Sequence, residues 1–159
     1  MATNSLLQYL QATDGSGVAL GATVSNRRQV ERFIAKGAIA AGDVVAFSFA
    51  DGDDPGDAVL YVAKSAADKH CCGIALTDAA AAGDEINVII GGVAESAVKG
   101  KNDAGNAAIS SGDFLCQGDD AGFLYKYTAG TDAMVHAIAV DDVASAGSVT
   151  ATVIFLKQF

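Results

Sequence analysis

The segment 39–47, "IAAGDVVAF", contains a phrase that the chain repeats: small residues, then Gly, then Asp or Ser, then a strand-forming run. The other copies are "AAAGDEINVII" (80–90), "ISSGDFLCQ" (109–117) and "ASAGSVTATVIF" (144–155). Glycine reaches the positive φ that tight turns need, and an Asp side chain accepts hydrogen bonds from the nearby backbone. The phrase therefore predicts a turn that leads into a strand at four equivalent places.

These copies belong to a longer internal duplication. Residues 72–90 align with residues 136–154 at a spacing of 64, and "AAGDVVAF" aligns with "SSGDFLCQ" at a spacing of 70. The six-residue difference fits the loop "DGDDPGD" (51–57), which is longer than its counterpart "GDDAG" (118–122). Self-similarity of this kind predicts two copies of one structural unit.

The apolar runs are short, rich in Val, Ile and Phe, and separated by turn residues, which is typical of an all-β protein. Closing a sheet removes its exposed edges, so we expect a small, internally duplicated β-barrel or sandwich. The predicted strands are 44–49, 59–63, 72–76 and 86–90 in the first half, and 113–117, 123–127, 135–140 and 149–156 in the second.

The chain divides by composition into an arm and a barrel. Residues 1–26 carry one acid and no base, whereas four of the ten bases fall between positions 27 and 36. We predict an extended N-terminal arm at 1–36, whose segment 26–36 is either a strand or a short helical turn. The barrel domain is predicted at 37–159, with halves at about 37–97 and 98–159.

Charge and composition exclude several partners. The 159 residues hold 19 acids and 10 bases, a net charge of −9, which argues against nucleic acid and anionic membranes. No apolar run approaches the ~18 residues of a membrane span, and the first residues lack the pattern of a secretory signal. The three cysteines predict no disulfide framework and favour a reducing compartment.

No motif predicts catalysis, a cofactor or a metal site. Neighbouring side chains on a strand point to opposite faces, so Cys71 and Cys72 are poorly placed to share one zinc ion with His70. His136 lies in an apolar run, so we expect it to be a half-buried packing residue rather than a general base. The acidic loop 51–57 lacks the EF-hand pattern; a solvated hairpin is favoured there, with a weak cation site as the alternative. We expect a protein that is not an enzyme.

The order of the phrases resembles one protein family. "AGDVVAF", "CGIALTDAAAAGDEINVIIGGVAE", "ISSGDFLCQ" and "HAIAVDDVASAGSVTATVIF" cover about 38–156 and resemble phage capsid cement proteins, also called head decoration proteins. Similar sequences have been labelled phage RecA-like recombinases, but the acidic charge and the lack of a phosphate-binding loop argue against that label.

The resemblance implies a mechanical role in the virion. It implies a β-barrel on the outer surface of the expanded head, where subunits of the major capsid protein meet, which stabilises the shell against packaged DNA. It implies self-association, most often as a homotrimer, with a dimer as the alternative. Synthesis would take place in the cytoplasm of the bacterial host.

The arm lies outside the resemblance, and arms of this sort in decoration proteins often reach across a neighbouring capsid subunit. Its composition predicts apolar anchors and polar clamps for the capsid, although the basic segment could instead pair with the protein's own acids. The candidate capsid-binding residues are Leu6, Leu7, Tyr9, Leu10, Arg27, Arg28 and Arg32.

Three other functions stay open at this point. A lipoyl or biotinyl carrier domain is also a small duplicated barrel, but it needs a Lys at a hairpin tip, and Lys64, Lys99 and Lys101 stand in other sequence contexts. A small ligand-binding barrel would need a polar, convergent pocket. A fibre or spike subunit of the virion is the third alternative.

Overall fold

A computed structural model gives the fold of the chain. It describes residues 28–49, 61–66, 70–99, 101–102, 105–118, 120–130, 132, 134–145 and 148–157. The arm up to residue 27 and the acidic loop 51–57 lie outside the described residues.

The described residues form eleven β-strands and no helix. Most of the strands are short, in keeping with turn residues every few positions, and β5 is by far the longest. The strands are β1 (Arg28–Ala35), β2 (Val44–Phe47), β3 (Tyr61–Lys64), β4 (Cys71–Ala75), β5 (Glu85–Lys99), β6 (Lys101–Asn102), β7 (Gly105–Asn106), β8 (Phe114–Gln117), β9 (Leu124–Lys126), β10 (Ala137–Ala139) and β11 (Ser148–Phe155).

Nine strands form one sheet that closes on itself twice. The order is β1-β3-β2-β4-β5-β11-β10-β8-β9, and further pairings join β1 to β5 and β9 to β5. The first barrel therefore consists of β1, β3, β2, β4 and the first half of β5. The second barrel consists of the rest of β5 with β11, β10, β8 and β9. The all-β, duplicated barrel predicted from the sequence is confirmed.

The strand pairings match the two barrels at their common strand, β5. β1 pairs antiparallel with the first half of β5, and the second half of β5 pairs antiparallel with β11. β1 is thus the counterpart of the second half of β5, and the parallel pairing of β1 with β3 corresponds to that of β5 with β9. Each repeat therefore begins with this strand.

This arrangement differs from the division drawn from the sequence. β1 covers residues assigned there to the end of the arm, yet it pairs with β5 along its length, and Phe33 and Ala35 lie in the core. The alternative of a strand over 26–36 is the one observed, rather than a helical turn. The sequence of β1 lacks a clear strand pattern because the charged residues Glu31 and Arg32 interrupt its apolar residues in the exposed part of the strand.

The sequence spacing between corresponding residues of the two repeats changes from 64 to 70 at the small hairpin of β6 and β7. The second repeat has this hairpin inserted after β5. The spacing returns to 64 after the loop 51–57 of the first barrel, as the sequence predicted. The second barrel therefore carries an extra hairpin, and the first barrel carries the longer loop. Predicted strand 86–90 also proves too short, because β5 runs on through two glycines to Lys99.

The repeated phrase forms the same turn in the three copies that are fully described. In the first, the Asp43 amide donates to the Ala40 carbonyl oxygen (3.0 Å), Gly42 has a φ of 91°, and the Ala40 amide donates to the Asp43 carboxylate at 2.7 Å. This is the pattern of a type II turn, which needs a positive φ at its third residue. The turns at 83–84 and 112–113 repeat it.

Each turn is fastened to the end of a strand by two backbone hydrogen bonds. The Gly42 amide donates to Ala75 O (2.8 Å), and the Ala75 amide donates to Asp43 O (2.9 Å). The turns at 83–84 and 112–113 hold Ala35 and Ala139 in the same way. The phrase recurs because each copy anchors a strand end in the barrel; the fourth copy lies partly outside the described residues.

The core has two parts that do not match the two barrels. One cluster fills the first barrel, and includes Phe33, Val45 and Val88. The other fills the second barrel with residues such as Leu115 and Val153, but also takes in residues from the outer face of the first barrel. Those residues are Val44, Cys71, Ile74 and Ile89. The second barrel therefore packs against one side of the first.

Candidate interaction surfaces

β1 carries two of the predicted capsid-binding arginines. Arg28 is half-buried where the arm joins the sheet, opposite Gly92. Arg32 is exposed, and its Nη1 atom lies 3.0 Å from Oε2 of the equally exposed Glu85. Part of the basic segment thus pairs with the protein's own acids. Leu6, Leu7, Tyr9, Leu10 and Arg27 lie outside the described residues, and the capsid-binding role of all seven stays a prediction.

A row of apolar side chains crosses the outer face of the second barrel. Phe114 pairs with Ile138, Ile138 with Ile154, and Ile154 with Val93, so that four neighbouring strands contribute one residue each. Residues directly opposite each other on antiparallel strands lie on the same face of a sheet. Phe114 is 53% exposed and Ile154 39%, while Ile138 and Val93 are half-buried. We call these four residues the apolar row.

The corresponding residues of the first barrel are buried. Val44 pairs with Ile74, and Ile74 pairs with Ile89, in the same registers as the first three members of the apolar row. All three are at most 1% exposed, because the second barrel covers them. Sequence analysis missed the apolar row, since the residues are apolar in both barrels and no local signal tells a covered face from an open one.

A second apolar feature lies at the end of β2. Phe33, Phe47 and Phe49 form a chain of ring contacts with centroids 5.9 and 6.2 Å apart. Phe49 is 71% exposed and lines a cleft of about 600 Å³, together with Phe47, Lys64 and His70. The cleft adjoins segments outside the described residues.

The cysteines and one histidine are held in uncharged form in the interior. Burial raises the pKa of the Cys71 thiol to about 11 and those of Cys72 and Cys116 to about 12. Burial, with a smaller contribution from nearby His70, lowers the pKa of His136 to about 4. A thiolate is the nucleophile and metal ligand, so protonated buried thiols are poor at both tasks. These groups serve as core residues.

Two of the three lysines considered for a carrier domain are engaged in contacts. The Lys64 ammonium lies 2.8 Å from a carboxylate oxygen of Asp43. The Lys99 ammonium lies 2.5 Å from Oδ2 of Asp120 and over the ring of Phe123 at 4.1 Å. A carrier lysine must instead reach out freely to a distant active site, so these two fit that role poorly.

Neither a metal-binding cluster nor a membrane-spanning helix occurs in the part of the chain that the structure describes. There, no three His, Cys, Asp or Glu side chains are grouped so that they could hold an ion. The same residues form no helix long and apolar enough to cross a membrane.

The fold is similar to that of a known phage protein. The head fiber gp8.5 N base of bacteriophage phi29 shares 20% sequence identity with the chain, with a TM-score of 0.54. The match covers 81% of this chain and 94% of that one. No protein-family model and no curated protein matches the sequence. The structural match establishes a shared fold over most of both chains.

Proposed function

We propose that this protein is a structural component of a phage virion, a cement or decoration protein that binds the outside of the expanded head. The observation that carries the proposal is the likeness in fold to the phi29 head fiber gp8.5 N base over 81% of the chain. It agrees with the resemblance of the repeated phrases to head decoration proteins, which rests on the residues alone. The partner would be the major capsid protein.

The charge of the chain supports the outer rather than the inner surface. Packaged DNA fills the inside of a head with phosphate charge, and a protein with a net charge of −9 would be repelled there. The outside of the shell imposes no such cost. A strongly charged protein also stays soluble at the high concentration that full decoration of a head requires.

The N-terminal arm is the segment that we propose binds the capsid shell. Its uncharged start offers Leu6, Leu7, Tyr9 and Leu10 as apolar contacts, and Arg28 stands where the arm enters the sheet. An extended segment can wrap a large surface, although ordering it on binding costs entropy. Several copies acting together gain by effective concentration, so that each contact can be weak. A homotrimer at points where capsid subunits meet would bind in this way.

The test is co-sedimentation of the purified chain with expanded, undecorated phage heads. We expect saturable binding at a fixed ratio to the major capsid protein. Replacing the four apolar residues of the arm by Ser should abolish binding and leave thermal unfolding unchanged. The matched control replaces Val18, Leu20 and Val24 of the same arm by Ser and should bind normally. Normal binding by the first variant would remove the arm from the proposal.

A second candidate is the base of a head fibre, favoured by the description of the phi29 protein as a head fiber N base. Both candidates predict binding to heads, but a cement protein should raise the temperature at which the heads lose their DNA. Binding with no gain in head stability would favour a fibre base. The absence of binding to any head would rule out both candidates. Intact-mass measurement for a modified lysine would then test the carrier-domain alternative.

A further inference from the structure

The apolar row lies on the outer face of the second barrel, and the corresponding face of the first barrel forms the interface between the two barrels. On the first barrel, Val44, Ile74 and Ile89 are buried against the second barrel. On the second barrel, the equivalent positions hold Phe114, Ile138 and Ile154, and the first and last of these are well exposed. Exposed apolar side chains that lie side by side across a sheet mark an interaction site.

We propose that the apolar row is a self-association surface, covered by the first barrel of a second copy of this chain. The packing between copies would then repeat the packing between the two barrels within one copy. The second barrel of one molecule would meet the first barrel of the next, as the first barrel meets the second inside each chain. This inference goes beyond head binding and requires no head.

The internal interface shows which part of the first barrel would be used. The Ala97 amide donates to the carbonyl oxygen of Gly42 at 2.9 Å, so the turn at 42–43 rests on the second half of β5. The equivalent turn is open, since a Cβ placed on Gly112 would meet no described atom within 4 Å. Ala97 lies in the second half of β5, and the counterpart of that half-strand in the first barrel is β1. The turn at 112–113 would therefore rest on β1 of the next copy.

Charge favours the same arrangement. Beside the apolar row, Asp141 and Asp142 accept hydrogen bonds from the amides of Thr152 and Ser111, and no salt bridge joins them to a cation among the described residues. The middle of β1 displays the exposed guanidinium of Arg32, which is held only by a solvent-exposed partner. An acidic rim that meets an exposed arginine steers association and fixes its orientation.

The proposed contact joins two different surfaces. Each copy offers one apolar row and one β1, so copies assemble head to tail, and the assembly closes into a ring when the rotation between neighbours allows it. This property distinguishes the proposal from a symmetric dimer in which two apolar rows face each other. It also makes the proposal testable by mixing variants.

The experiment is sedimentation velocity on the full-length chain in the absence of heads, over a range of concentrations. We expect the wild type to self-associate, and Phe114→Glu and Arg32→Glu each to weaken association, by roughly 30-fold for Phe114 if it acts as an interface anchor. Both side chains are exposed, so thermal unfolding should be unchanged. The control Ala121→Glu adds the same charge at an exposed turn next to Gly122, which faces the first barrel of its own chain, and should associate normally.

Mixing the two defective variants tests the head-to-tail geometry. One copy then keeps an intact β1 and the other an intact apolar row, so the mixture should form dimers that neither variant forms alone. Normal association of Arg32→Glu alone would overturn the head-to-tail contact in favour of apolar rows facing each other, and a mixture that stays monomeric would overturn the contact between the apolar row and β1. A wild type that is monomeric at every concentration, or a Phe114→Glu variant that associates normally, would overturn the self-association surface itself. Neither result bears on head binding.

Discussion

The two barrels share one topology but differ in what covers them. The turn at 42–43 is packed against the other barrel, and Asp43, which forms an ion pair with Lys64, is 6% exposed. The equivalent turn at 112–113 stands open, although Asp113 forms the equivalent ion pair with Lys126. The same local chemistry therefore serves an interface in one barrel and a free surface in the other. The position of each turn in the assembled fold, rather than its local sequence, decides whether the turn is buried at the interface or exposed.

A second pair of positions shows how burial acts on different chemistry. Cys72 and His136 are 64 positions apart, and both are buried. Burial penalises the charged form in each case, so it raises the pKa of the thiol to about 12 and lowers that of the imidazole to about 4. Both groups are uncharged at neutral pH, but only the histidine leaves that state within the range that acid treatment reaches.

The largest difference between the barrels is expected at Gly73 and its counterpart Ala137, which pair with equivalent residues of β2 and β8. A Cβ on Gly73 would lie 2.4 Å from Val88 Cγ1 and 2.5 Å from the Ile89 carbonyl oxygen. Because backbone must move, Gly73→Ala should lower the free energy of unfolding by at least about 3 kcal/mol. Ala137→Gly should cost only about 1 kcal/mol. Urea unfolding measures both; equal losses would contradict the close approach at Gly73.

A smaller difference is expected between the two turn carboxylates. Asp43→Ala removes an acceptor from the Ala40 amide and leaves Lys64 without its partner next to the barrel interface, so we expect a loss of about 2–3 kcal/mol. Asp113→Ala should cost about 1 kcal/mol, because water can replace the lost contacts at the open turn. Chemical denaturation of both variants gives the comparison, and a costlier Asp113 change would reverse the assignment of the covered turn.

The third expected difference between the barrels is a pH dependence. Since the folded-state pKa of His136 is lowered to about 4 from the ordinary value of 6.5, the unfolded chain binds a proton between these values that the folded chain does not. Stability should therefore be full above pH 6.5 and fall by about 2 kcal/mol on acidification to pH 4.5.

The matched variant is His136→Cys, which places in the second barrel the residue that the first barrel carries at position 72. It should unfold with a weaker dependence on pH between 4.5 and 6.5, measured by thermal melts at fixed ionic strength. Carboxylates contribute equally in both proteins, so the difference between the two curves isolates His136. Identical curves would show that the imidazole is solvated in the folded state.

Local features of this fold were readable from the sequence, and its long-range ones were not. The turn role of the repeated phrase is confirmed at three copies, because glycine at a positive φ and an Asp acceptor act within four residues. Strands such as β2, β8 and β11 fall where the apolar runs predicted them. The sharing of β5 by two barrels depends on pairings with residues as far away as Arg28 and Phe155, for which no local pattern exists.

Of the candidate surfaces, the basic segment was predicted from the sequence and the apolar row was not. Charge marked the basic segment, and the structure places Arg28 and Arg32 on β1, but it also shows Arg32 engaged with Glu85. The apolar row could not be found, because the outward position of Phe114 follows from its register with Ile138 and from what the other barrel leaves uncovered. A long-range packing relation of this kind becomes visible only once the two repeats are superposed by their strand pairings.

The most direct measurement is an electron cryo-microscopy reconstruction of expanded phage heads incubated with the purified chain, beside heads without it. We predict added density on the outer surface at repeated lattice positions, of a size that fits the two barrels, with a narrow extension reaching onto a neighbouring capsid subunit. Heads that show no added outer density under saturating protein would contradict a role as a head-binding virion protein.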